Sequence, residues 1–140
     1  MYEYRCKLVK VIDGDTIDID IDLGFGVWLT KQRIRMYGID TPESRTRDLE
    51  EKKYGLNAKA FLTEMLDDSH LILKTHKDER GKFGRILGEL WRTTSFADKS
   101  VNNYMIDKHH AVAYFGQSNE AIAEEHIANR ARVILHGEQK

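Results

Sequence analysis

Two short acidic segments hold most of the residues that could do chemistry. One is Val11-Ile12-Asp13-Gly14-Asp15-Thr16, and the other is Gly38-Ile39-Asp40-Thr41-Pro42-Glu43. Carboxylates and backbone carbonyls are hard oxygen donors, which suit Ca²⁺ or Mg²⁺ rather than Zn²⁺. The histidines are scattered at 70, 76, 109, 110, 126 and 136, and none has zinc spacing with the one cysteine, Cys6. His109-His110 reads as a polar turn rather than a ligand pair. Two arginines complete the set. Arg35 precedes Asp40 on the same predicted strand, and Arg85 follows Gly84 where a loop enters a strand. Guanidinium forks match phosphoryl oxygens in geometry as well as charge. Hydrolysis of a phosphodiester builds negative charge on those oxygens, and cations already in place lower that barrier. Either arginine alone reads as surface charge; acids, turn and arginines together point to phosphoryl chemistry.

Those residues need elements to position them. From Thr16 to Leu23 the chain alternates strictly, with Ile17, Ile19, Ile21 and Leu23 on one side and Asp18, Asp20 and Asp22 on the other. This predicts a half-buried strand. The three alternate aspartates read as its solvated face. Asp15 shares parity with the isoleucines, so its carboxylate falls on the core side, where it is costly unless a cation or donors meet it. Residues 4–12 predict a preceding strand, with a tight turn at Gly14. Residues 27–39 predict a following strand, with a bend near Gly38. The single proline, Pro42, stops regular pairing and pushes Thr41 toward extended geometry. A rigid turn there presents Asp40, the Thr41 carbonyl and Glu43 together.

Downstream, residues 50–68 predict a helix with Tyr54, Ala58, Phe61, Leu62, Met65 and Leu66 along one stripe. Residues 71–75 and 85–91 predict two more strands. Residues 100–107 predict a short helix with Val101, Tyr104 and Met105 inward. A third helix is expected from Asn119 to about Val133, with Ala123, Ile127 and Ala131 in register and Ser118 or Asn119 as cap. Strands, helix, strands, then helices is the order of an α+β domain. The expected architecture is a five-stranded antiparallel OB-fold barrel with three helices, one domain over residues 1–140.

The 140 residues carry 41% hydrophobic and 32% charged residues, with a net charge of −1. That composition predicts a soluble globular chain with no membrane partner, and a monomer is expected because the core uses the apolar stripes of the helices. No apolar run is long enough to cross a bilayer. The first segment is too charged for a signal peptide, so a cytoplasmic location is expected, or a secreted or periplasmic one if a leader has been removed. Cys6 reads as a small buried hydrophobe. The near-neutral charge argues against tight non-specific binding to nucleic acid, but not against an enzyme that must release a polyanionic product.

IDGDT, then RIRMYGIDTPE, then KYG opening a helix, then KFGR, resembles the staphylococcal nuclease (thermonuclease) family. The resemblance runs from about Leu8 to the third helix. It implies an OB-barrel with three helices and Ca²⁺-dependent cleavage of DNA and RNA at the 5′-oxygen bond, leaving 3′-phosphates. Position by position, it implies metal ligation by Asp15, Asp40 and the Thr41 carbonyl, with Asp13 close to the metal waters. Glu43 resembles the residue that orients or deprotonates the attacking water, and Arg35 and Arg85 resemble the phosphate-binding pair. Lys82 matches a lysine that contacts a terminal phosphate, and Tyr114 matches the first tyrosine of the nucleotide pocket. Two positions depart from the pattern. Gly81 stands where many members have an acid, and Gly116 stands where the best-known member has a second pocket tyrosine. Phe115 and Phe83 are the aromatics left to stack on a base.

Two other functions fit part of this pattern. A non-catalytic OB-barrel that binds nucleic acid does not need the acids and arginines together. A structural Ca²⁺-binding protein accounts for the acids but leaves Arg35 and Arg85 without a role.

Overall fold

The structure is a computed structural model, and it describes residues 2–67, 70–76, 86–93 and 98–135. Arg85, Lys82, Gly81 and Phe83 lie outside the described residues. Strands β1 (Glu3–Asp13), β2 (Thr16–Asp22) and β3 (Trp28–Met36) form an antiparallel meander. Strand β4 (Ile39–Asp40) leads to helix α1 (Leu49–Leu66), then to β5 (Leu71–His76) and β6 (Ile86–Arg92). Helix α2 (Val101–Asp107), strand β7 (Val112–Ala113) and helix α3 (Asn119–Arg130) follow. A barrel closes in the order β1-β2-β3-β6-β5. The expected five-stranded barrel with three helices is therefore what the chain forms, with one refinement. β3 pairs with β6 in parallel, so the barrel is mixed rather than wholly antiparallel.

The alternation of β2 does what its period requires. Ile17, Ile19 and Ile21 are buried, and Asp18, Asp20 and Asp22 lie on the other face. That face is not merely solvated. Asp18 pairs with Arg33 at 2.9 Å, which holds the Asp18 carboxyl below its usual range. Asp20 accepts from the Lys31 amide, and Asp22 accepts from the Gly24 amide at the hairpin. Ile34, Met36, Leu71, Leu73 and Leu90 fill the barrel interior, while Ala58, Leu62 and Leu66 of α1 close over it. Each such side chain removed from water contributes about 1.5–3 kcal/mol. Cys6 is part of this core, and burial pushes its thiol up to about 12, as expected of an inert sulfur.

Three expectations need correction. The strand predicted over residues 27–39 is two strands. Tyr37 and Gly38 (φ 76°) break it, and Ile39–Asp40 leaves the barrel to pair with β7 in a separate two-stranded sheet. The short partner β7 has no signal of its own in the sequence. Helix α3 ends at Arg130, and the face it buries is not the apolar one. Ile122 is buried and Ile127 is 60% exposed, while His126, Asn129 and Arg130 are half-buried. In α2, Asn102 rather than Tyr104 joins Val101 and Met105 in the interior. Its carboxamide donates to the carbonyls of Tyr37 and Gly88 and accepts from the Leu90 amide, stapling the hinge at residues 37–38 to β6.

Candidate active site

The two acidic motifs meet because two glycines let backbones approach. A side chain on Gly14 would strike Thr41 and Ala58, with Cβ only 2.9 Å from each. A Cβ on Gly55, inside α1, would lie 2.3 Å from the Glu43 carbonyl oxygen and 2.6 Å from the Ser44 nitrogen. Glycine in a helix interior costs about 1 kcal/mol relative to alanine. Here that cost permits the turn after Pro42 to lie directly on the helix. Gly55→Ala is therefore expected to destabilise by about 1–3 kcal/mol net, because overpacking against backbone outweighs the gain in helix propensity. Denaturant unfolding checks this, and a variant more stable than wild type would refute the close approach.

The turn is then tied down by hydrogen bonds. The Thr41 amide donates to Asp15 Oδ2 at 3.1 Å, joining the second motif to the first. Thr16 Oγ1 donates to the other Asp15 oxygen at 3.0 Å. Ser44, itself buried, donates its hydroxyl to Asp13. The Glu43 amide donates to Glu51 of α1 at 3.0 Å. Asp48 caps that helix by accepting from the amides of Glu50 and Glu51, which fixes where Glu51 stands.

Charge is concentrated at one point. Arg35 Nη2 lies 3.4 Å from Asp15 Oδ2 and 3.5 Å from Asp40 Oδ1, so one guanidinium is shared by the two carboxylates expected to bind metal. Its Nη1 donates to the Met36 carbonyl at 3.0 Å. Partial burial, followed by the like charges of Asp13, Asp15, Asp40 and Glu51, pushes the Glu43 carboxyl above the usual range. The side chain still opens to solvent, which screens the effect. Excess acid around one shared cation is the donor chemistry of a divalent oxygen site. Among the described residues, no three acids or histidines are drawn tightly enough together to form a ready-made metal cage. Asp15 and Asp40, with the carbonyl of Thr41 next to Asp40 in the sequence, are oxygen donors that could hold an ion.

The expected site residues Asp13, Asp15, Arg35, Asp40, Thr41 and Glu43 are thus brought to one end of the barrel. The Tyr114 amide donates to the Gly38 carbonyl at 2.8 Å, which ties its backbone to the segment that leads into Asp40.

Residues 33–133, well over half of the chain, match the family described as Staphylococcal nuclease homologue. The chain belongs to the staphylococcal nuclease family. A thermonuclease of Staphylococcus hyicus is 35% identical over 89 residues, covering 64% of this chain and 49% of its own length. The protein named ParB of Escherichia coli is 32% identical over 119 residues, covering 80% of this chain and 58% of its own. A thermonuclease of Staphylococcus intermedius is 34% identical over 82 residues, covering 59% and 45%. The chain spans about half the length of the curated relatives it matches.

Within the family frame, the departure at Gly116 has a backbone cause. Its φ is 94°, a conformation a tyrosine adopts only with strain. Next to it, Phe115 is 72% exposed and meets Tyr37 edge-on at 6.0 Å, while Tyr37 stacks face-on with His76 at 3.8 Å. This aromatic group beside Gly38 was not foreseen beyond Phe115. Ser44 and Glu51 were also missed, as was His126, whose Nε2 lies 2.8 Å from Asp40 Oδ2. No helix among the described residues is long and apolar enough to cross a membrane.

His110 departs from the polar turn expected for His109-His110. His109 takes a positive φ of 64°, and His110 turns inward, 6% exposed, stacked on Phe61 at 4.2 Å. Burial, then the neighbouring His109, lowers its pKa from 6.5 to about 4. The unfolded chain therefore takes up this proton first as pH falls. The stability is fully present above pH 6.5 and is lost on acidification toward about 4. The loss approaches about 3 kcal/mol at most. Melting temperatures between pH 7.5 and 4.5 should fall less steeply for His110→Gln than for wild type; equal slopes would exclude His110 as the cause.

Proposed function

We propose that this chain is a Ca²⁺-dependent nuclease that hydrolyses phosphodiester bonds of DNA and RNA at the 5′-oxygen, leaving 3′-phosphate products. The observation that carries this reading is Arg35, lying between Asp15 and Asp40 while Glu43 stands beside the same pair. A structural Ca²⁺ site has no use for a guanidinium there, because it repels the ion. A phosphate between cation and ion removes that conflict.

Asp15, Asp40 and the Thr41 carbonyl would hold the ion, Ca²⁺ in preference to Mg²⁺. Once bound, it would supply Lewis acidity at a non-bridging phosphate oxygen and acidify a nearby water. Glu43 positions that water for in-line attack or accepts its proton. In the metal-free protein, partial burial and the like charges around it raise that carboxyl above its ordinary value. Asp13, which accepts the Ser44 hydroxyl, would lie near the waters of such an ion. Arg35 turns to the phosphoryl oxygens as their charge grows. Arg85 is its partner by motif, and Lys82 is the contact for a terminal phosphate. Tyr114 lines the nucleotide pocket, with exposed Phe115 as a stacking face.

Cleavage of denatured DNA and of RNA, with Ca²⁺, Mg²⁺ or EDTA, tests the proposal. Products ending in 3′-phosphate, formed with Ca²⁺ and abolished by EDTA, are expected. Retained binding with no cleavage under any ion would instead make the chain a nucleic-acid-binding barrel.

A further inference from the structure

Helix α3 presents a histidine to the site from far along the chain. His126 Nε2 lies 2.8 Å from Asp40 Oδ2, and the histidine side chain is 14% exposed. A carboxylate oxygen only accepts, so the proton of this bond is on Nε2. The contact is not a by-product of apolar docking. α3 buries one hydrophobic side chain, Ile122, and leaves Ile127 in solvent while His126 faces inward. Asp40 needs such a contact. Its side chain is 30% exposed against 13% for Asp15, and Asp15 already receives the amide of Thr41 and the hydroxyl of Thr16. Among the described residues, the other side-chain partner of Asp40 is Arg35 at 3.5 Å, too long to fix a carboxylate.

We propose that His126 is a positioning residue: it donates to Asp40 Oδ2, sets the plane of that carboxylate, and leaves Oδ1 directed toward the ion and Arg35. This rests on the metal-dependent reading above. Partners that orient a ligating carboxylate or histidine typically change metal affinity by about 10–100-fold. The bond also makes ion binding dependent on how α3 is seated, a coupling that neither acidic motif reveals.

Calorimetric titration of Ca²⁺ into the folded, metal-free protein tests this, alongside the melting temperature of each variant. Glutamine carries its amide nitrogen about as far out as Nε2, whereas asparagine reaches only as far as Nδ1. His126→Ala and His126→Asn are expected to weaken Ca²⁺ binding about 10–100-fold, and His126→Gln is expected to restore most of it. Equal affinity in all four proteins overturns the proposal, as does a lower melting temperature in His126→Ala with unchanged affinity, since that is the mark of a purely structural histidine. An Asp40→Asn control separates the two readings. If wild type binds Ca²⁺ and Asp40→Asn does not, level His126 variants refute this inference alone. If wild type binds no Ca²⁺, the metal-dependent function fails with it.

Discussion

Glu43→Gln is expected to lower turnover on single-stranded DNA by about 10²–10⁴-fold, the range for loss of a positioned acid–base group, while Ca²⁺ binding stays near wild type. The glutamine keeps the size of the side chain and the backbone amide bond to Glu51, so the turn after Pro42 should persist. What disappears is a carboxylate that partial burial and four acidic neighbours already hold above its usual range. The stability consequence runs opposite to the activity. A carboxyl whose folded pKa is raised costs stability as pH rises through that pKa, because the folded state must give up a proton it holds more tightly than the unfolded chain. At neutral pH the metal-free Gln variant should therefore melt higher than wild type. Near-normal turnover in Glu43→Gln would remove Glu43 from the chemistry.

Arg35→Ala should lower turnover by about 10²–10³-fold, the cost of losing one preorganised transition-state donor. Its effect on the ion should go the other way. At 3.4 and 3.5 Å from Asp15 and Asp40, Arg35 competes with a metal for the same two carboxylates, so its removal should leave Ca²⁺ affinity unchanged or tighter. These distances exceed the roughly 2.7–2.9 Å of a strong charge-assisted hydrogen bond. The guanidinium is thus a shared counter-ion, not a clamp, and can turn toward phosphate. Arg35→Lys keeps the charge but loses the fork, and should recover only part of the rate. A weak-binding, fully active Arg35→Ala would make the residue a structural support. Ion affinity that weakens in His126→Ala but not in Arg35→Ala separates a support from a competitor, although both residues touch Asp40.

The residues of the candidate site stood out in the sequence because their signals are local. Parity with Ile17 and Ile19 singled out Asp15, although the fold places it in the turn just before β2 rather than on the strand, and Pro42 marked the segment that carries Asp40 and Glu43. The order of predicted strands and helices was enough for a five-stranded barrel with three helices, though not for its parallel β3–β6 pairing. What was not legible depends on partners far apart in sequence. Nothing near Val112 marks it as a strand, because two residues that pair only with Ile39 and Asp40 have no period of their own. The face of α3 was misread for a related reason. An apolar stripe through Ala123, Ile127 and Ala131 is the cheapest interior for a helix, unless a polar partner such as Asp40 waits on another side. Ser44 and Glu51 were passed over because serine and glutamate near a helix start are ordinary, and only the fold shows what they hold.

The short β4–β7 sheet sets an order of events during synthesis. By residue 43 a growing chain already carries Asp13, Asp15, Arg35, Asp40 and Glu43. The strand that registers Asp40 is not made until Val112, and the histidine that steadies it comes later still, at residue 126. Closing so long a loop is entropically late as well as late in translation. A chain interrupted before Val112 holds every acid of the site without the backbone that aligns them, so the chemistry is encoded early and assembled last.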